Sequence, residues 1–130
     1  MIFDADVVIW ALRGNEAADA MISRESLREI SVVAYMELLQ GARDKAEVRE
    51  ILGFLVRQKF RTLPLTEEIG RRAAVYMEEY SLAVALSPDD ALIAATAVEN
   101  HLPLCTANQR HFKAIQELEI RPFRPQRERS

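Results

Sequence analysis

The sequence predicts an α/β fold: a parallel sheet covered by helices on both faces, in three α/β/α layers. Three observations predict it. Short apolar runs end at polar residues, stretches of helical length lie between those runs, and helix-start signals stand at the junctions. About five strands alternate with helices, which is the pattern of a central parallel sheet. One domain is expected over residues 1–123, followed by a loose Arg-rich tail over 124–130.

Met1-Ile2-Phe3-Asp4 reads as a short buried strand ending at an acid. Asp6 then reads foremost as the N-cap of a helix carrying Val7 to Leu12, which ends near Arg13-Gly14. Glu16 to Ser23 predicts a second amphipathic helix. Ile30 to Val33 (Ile-Ser-Val-Val) predicts a strand, with a helix from Ala34 to Ala42. Val48, Ile51, Leu52 and Leu55 fall on one helical face. Phe60 to Leu65 predicts a strand interrupted by Pro64. Thr66-Glu67-Glu68 opens a helix with a hydroxyl cap and early acids, and Ile69, Ala73, Tyr76, Met77 and Tyr80 form its apolar stripe. Ser87-Pro88-Asp89-Asp90 is another start, with a capping Ser, Pro in the first turn and acid at the third position. The helix after it, Ala91 to Glu99, is small or apolar almost all round and should be buried. Pro103 to Thr106 predicts a strand, Asn108 to Ile115 a helix and Ile120 to Phe123 an edge strand.

Composition narrows the functional classes. No run approaches the roughly 18 apolar residues that span a bilayer, so no membrane partner is expected. The first residues carry no basic leader before an apolar run, and Cys105 is the only cysteine, so a cytoplasmic address is expected. Cys105, His101 and His111 cannot form a Cys/His zinc cage in any usual spacing. A net charge of −3 sits awkwardly with nucleic-acid binding, unless the acids cluster around a cation that reverses the local sign.

Ligands of an open parallel sheet gather beyond the carboxyl ends of its strands. Asp4 closes the first strand, Glu37 lies on the helix after the second, Asp90 opens a helix, and Thr106 and Asn108 follow the strand that holds Cys105. Such acids repel one another in a cleft unless a cation neutralises them. Hard oxygens suit Mg²⁺ or Mn²⁺, and a cation so held serves phosphoryl chemistry. Glu37 has no Lys or Arg three or four residues away to pair with. Asp89 reads as serving the helix dipole, His101 and His111 as surface or capping residues, Trp10 and the stripe tyrosines as core, and Arg121, Arg124, Arg127 and Arg129 as solvated.

Four segments resemble the motifs of the VapC-type PIN-domain ribonucleases, toxins of the VapBC toxin–antitoxin systems. They are Ile2-Phe3-Asp4-Ala5-Asp6-Val7-Val8-Ile9-Trp10, the stretch from Ile30 to Gly41, Asp90 to Ala97, and Leu102 to Phe112, in family order. The resemblance implies an endoribonuclease using Mg²⁺ or Mn²⁺, an RNA substrate, a homodimer and inhibition by a VapB-type antitoxin. It makes Asp4, Glu37 and Asp90 the catalytic acids. Asp4 and Asp90 are the firmest metal ligands, Glu37 acts through water, and Asn108 completes the set. Thr106 braces the site, with Asp6 in support. At Asn108 many relatives carry Asp, so a second metal is expected to bind more weakly.

Two alternatives remain at this stage. Asp4-Ala5-Asp6 after an apolar strand also resembles the nucleophile motif of haloacid-dehalogenase-like phosphatases, which need a lysine near the phosphate and would leave Glu37 without a role. A PIN-like module that binds RNA or protein without cutting is the other.

Overall fold

The computed structural model describes residues 1–127. Five strands form one sheet: β1 (Ile2–Phe3), β2 (Arg28–Ser31), β3 (Phe60–Leu63), β4 (Leu104–Thr106) and β5 (Ile120–Pro122). Their order is β3-β2-β1-β4-β5 and every pairing is parallel. Seven helices accompany them among the described residues: α1 (Ala5–Leu12), α2 (Glu16–Ser23), α3 (Val32–Gln40), α4 (Lys45–Arg57), α5 (Glu67–Val84), α6 (Pro88–Glu99) and α7 (Gln109–Phe112). The expected three-layer α/β/α architecture is the observed one.

Burial explains the order of the strands. Ile2, Phe3, Leu104, Cys105 and Thr106 are fully buried, so β1 and β4 lie at the centre, where both faces are covered and an unbroken apolar run is expected. Arg61 and Thr62 of β3, and Arg121 and Pro122 of β5, are exposed. Charge and proline suit the two edges, where they discourage pairing with another chain.

Helix starts are set locally. Asn15, Ser31, Asp44, Thr66 and Ser87 each accept a backbone N–H of the first turn. The predicted start signals at Thr66 and Ser87 are the observed caps. Three expectations are corrected. The second strand and its helix begin two residues earlier than predicted, because Ser31 caps α3 and stops the strand. α7 is one short turn rather than a helix reaching Ile115, and Asn108 makes no side-chain cap to start it. The cap of α1 is Asp4, not Asp6.

The switch point follows from the topology. From β1 the chain winds outward through β2 to β3, then crosses to the other side of β1 to form β4 and β5. The connections therefore diverge between β1 and β4, and a crevice opens at their carboxyl ends. Asp4 leaves β1 at this point, with its N–H bonded to the Cys105 carbonyl at 2.9 Å. The segment beyond β5 is not loose throughout: Phe123 N–H donates to the Thr106 carbonyl at 2.9 Å, and Asn15 exchanges two hydrogen bonds with the Gln126 backbone. Arg129 lies outside the described residues. No helix among those described is long and apolar enough to cross a membrane.

Candidate active site

Asp4 is held on both oxygens. Ala5 N–H donates to Oδ1 at 2.8 Å, and the Thr106 hydroxyl donates to Oδ2 at 2.9 Å. The carboxyl group is almost closed off from water, with 8% of the residue exposed. Burial, followed by the nearby Asp6 carboxylate, pushes its pKa up to about 7, although the Thr106 and Ala5 bonds pull the other way. Two hydrogen bonds do not compensate the loss of water.

Asp6, expected as a helix cap, instead reaches across to β4. Its Oδ2 accepts the Ala107 N–H at 3.1 Å and lies 3.4 Å from the Thr106 hydroxyl. Asp4 takes the capping position two residues earlier, which frees Asp6 to face the loop after β4. Its Oδ1 is buried without a hydrogen-bond partner, and burial raises its pKa. Thr106 thus stands between two carboxylates, and its oxygen accepts the Asn108 N–H at 3.0 Å.

Glu37 comes from the middle of α3. Partial burial raises its pKa, and so do Asp89, Asp90 and Asp6, which means that all four acids lie within electrostatic reach. Asp90 lies in the first turn of α6, its N–H donating to the Ser87 hydroxyl at 3.1 Å. Its Oδ2 is 3.2 Å from Nδ1 of His111. His111 is therefore a neighbour of the acids rather than the plain surface residue expected. Asn108 is the least integrated of the predicted set, since its side chain is exposed and only its backbone joins the network.

The chemistry of the donors can be tested for a cation. Apart from the His111 ring beside Asp90, every convergent side-chain donor is a hard oxygen, one of them is buried and unsatisfied, and no Lys or Arg among the described residues pairs with Asp4, Asp6 or Glu37. A partly hydrated Mg²⁺ or Mn²⁺ fits such a set. Among the described residues no three His, Cys, Asp or Glu side chains stand close enough together to hold a metal ion by themselves. An ion at the crevice would therefore take most of its ligands from water.

A family model described as PIN domain matches residues 1–118. The chain belongs to the PIN-domain family. It is 40% identical over 122 residues to Ribonuclease VapC10 of Mycobacterium tuberculosis, covering 91% of this chain and 90% of that protein. A toxin–antitoxin complex from Klebsiella pneumoniae contains a chain of similar structure, with a TM-score of 0.73 and 27% identity, over 90% of this chain and 93% of that one. DNA-bound VapBC from Salmonella typhimurium supplies another, with a TM-score of 0.79 and 23% identity, over 93% and 96% of the two chains. In this PIN domain the four segments that resembled the family motifs meet at one end of the sheet.

Two contributors were hidden from the sequence. His111 is three residues beyond Asn108, and α7 completes just enough of a turn to bring it to Asp90. The Ala107 amide that holds Asp6 has no side-chain signature at all.

Proposed function

We propose that this PIN domain is a metal-dependent endoribonuclease that hydrolyses RNA phosphodiesters as the toxin of a type II toxin–antitoxin pair. The observation that carries the reading is the gathering of Asp4, Asp6, Glu37 and Asp90 beside the β1–β4 crevice with no basic partner for the first three. Unpaired buried acids are costly, and their persistence in a cleft points to work done on a cationic or cation-bridged ligand. The kinship with ribonucleases named VapC supports RNA as that ligand.

Asp4 and Asp90 would hold Mg²⁺ or Mn²⁺, with Glu37 and Asn108 contributing through water. When bound, the cation supplies charge neutralisation, a more acidic water and stabilisation of the leaving oxygen. The chain's own residues do the positioning. Thr106 and the Ala5 amide fix the two oxygens of Asp4, so the carboxylate is presented in one orientation. Asp6 tethers Ala107 and thereby sets the loop that carries Asn108. Glu37 accepts a hydrogen bond from the attacking water and directs its lone pair at phosphorus.

A VapB-type antitoxin and a second copy of the chain belong to the same reading. A groove of about 720 Å³ bounded by Ile9, Leu12, Leu38 and Ile51, with Arg43 and Glu47 at its rim, supports an amphipathic partner segment. PIN-family membership leaves the phosphatase alternative without support.

The test is cleavage of single-stranded RNA by the purified protein in Mg²⁺ or Mn²⁺ and in excess EDTA. Cutting with either cation and none with chelator is expected. RNA bound but left intact under every metal condition would overturn the reading in favour of a non-cleaving RNA-binding module.

A further inference from the structure

Beside the acidic centre lies a hollow of about 390 Å³ whose lining includes Arg110, Lys113 and Arg124 and no carboxylate. None of these three cations pairs with an acid among the described residues. Two separate segments bring them together: Arg110 on α7 with Lys113 just beyond it, and Arg124 after β5. Arg124 is anchored on both sides, by the Phe123–Thr106 backbone bond before it and the Gln126–Asn15 pair after it. The hollow also borders Ala107 and Asn108, whose N–H groups hold Asp6 and Thr106.

We infer that this hollow is a phosphate subsite that grips the RNA backbone next to the bond at the acidic centre. The inference rests on the ribonuclease reading above. A chain of net charge −3 that offers a carboxylate cluster to a polyanion needs cations beside that cluster. Three like charges converging without acids repel one another, and a phosphate relieves that repulsion. Phe123, the aromatic residue of the lining, is buried, so no exposed ring is available for a base to stack on. The contact is therefore with the backbone and independent of sequence.

The experiment uses the full chain carrying Asp90→Asn, which is expected to bind without cutting, and a fluorescent single-stranded RNA across a range of KCl. Arg110→Gln, Lys113→Gln and Arg124→Gln are added singly and together. Each single change should weaken binding about fivefold at 0.1 M salt, and the triple change should lower the slope of log affinity against log salt by about 2. An oligonucleotide with one neutral methylphosphonate beside the cleavage position should bind the parent more weakly, with that penalty reduced in the triple variant. Arg49→Gln, an exposed change on α4, is the control and should leave affinity unaltered. In the otherwise unaltered enzyme, the triple change should raise KM and leave kcat nearly unchanged. A triple variant with parental affinity and salt slope overturns the subsite while leaving the ribonuclease reading intact. Loss of binding to an acidic protein partner but not to RNA overturns it equally. If the unaltered protein neither binds nor cuts RNA, the ribonuclease reading fails first and the subsite with it.

Discussion

Two regions of this molecule concentrate carboxylates, and they treat them in opposite ways. On the surface shared by α5, α6 and the segment after α7, Arg72 bonds Glu99 at 2.5 Å and Glu117 at 2.6 Å, and the Tyr76 hydroxyl donates to Glu117. Those bonds, Tyr76 first, hold the Glu117 carboxyl below its usual range. At the β1–β4 crevice, Asp4, Asp6 and Glu37 have no cationic partner among the described residues, and all three are pushed upward, chiefly by burial. The first arrangement resolves its charge within the chain and serves the fold. The second leaves its charge for something the chain does not contain.

The largest effect that can break this contrast is on catalysis. Asp4→Asn or Asp90→Asn should lower RNA cleavage by at least roughly 1,000-fold, since a cation bound by carboxylates contributes several kcal/mol to the transition state. Glu99→Gln, in the paired region, should leave cleavage within about twofold of the parent. Equal losses in the two regions would erase the distinction.

Stability against pH sharpens it next. The Asp4 pKa is raised from 3.8 to about 7 in the fold, so the folded state holds this proton more tightly than the unfolded chain. Its contribution is present below about pH 4 and is lost as pH rises through about 7. Without divalent cations this loss amounts to on the order of 4 kcal/mol, or roughly 15 °C in Tm. Asp4→Asn should flatten that part of the profile. Mg²⁺ or Mn²⁺ should raise Tm more at pH 8 than at pH 5. A parental profile as flat as that of the variant would show that the buried acid carries no such penalty.

Thr106 offers a finer test. Thr106→Val keeps the shape but removes the donor to Asp4 Oδ2, and cleavage should fall by about 10- to 100-fold while Thr106→Ser restores most of it. The smallest effect belongs to the paired region. Arg72→Met should lower stability by about 1 kcal/mol in urea unfolding, because the arginine is a third exposed and water screens its pairs. Cleavage per folded molecule should not change.

The motif acids could be read from the chain because each stands at a junction between elements. Asp4 follows an apolar run and Asp90 follows a capping Ser-Pro pair, so local patterning alone assigned both to the ends of elements. Asp6 was misread because two acids compete for one cap within three residues, and backbone geometry decided for Asp4. His111 and the cations Arg110, Lys113 and Arg124 carry no periodic signal. Their meaning comes from neighbours contributed by other segments.

The sequence by itself determined the elements: strands buried on both faces, helix starts at Thr66 and Ser87, and acids where strands give way to helices. These depend on hydrogen bonds and hydrophobic periods that close within a few residues. The order that sets β1 beside β4, the meeting of the Thr106 hydroxyl with an acid 102 residues away, and the basic hollow next to the acidic cluster were decided by tertiary structure alone. Such contacts depend on strand order. Many chains with the same local patterns could adopt other orders, and burying the whole set of apolar faces at once is what selects among them.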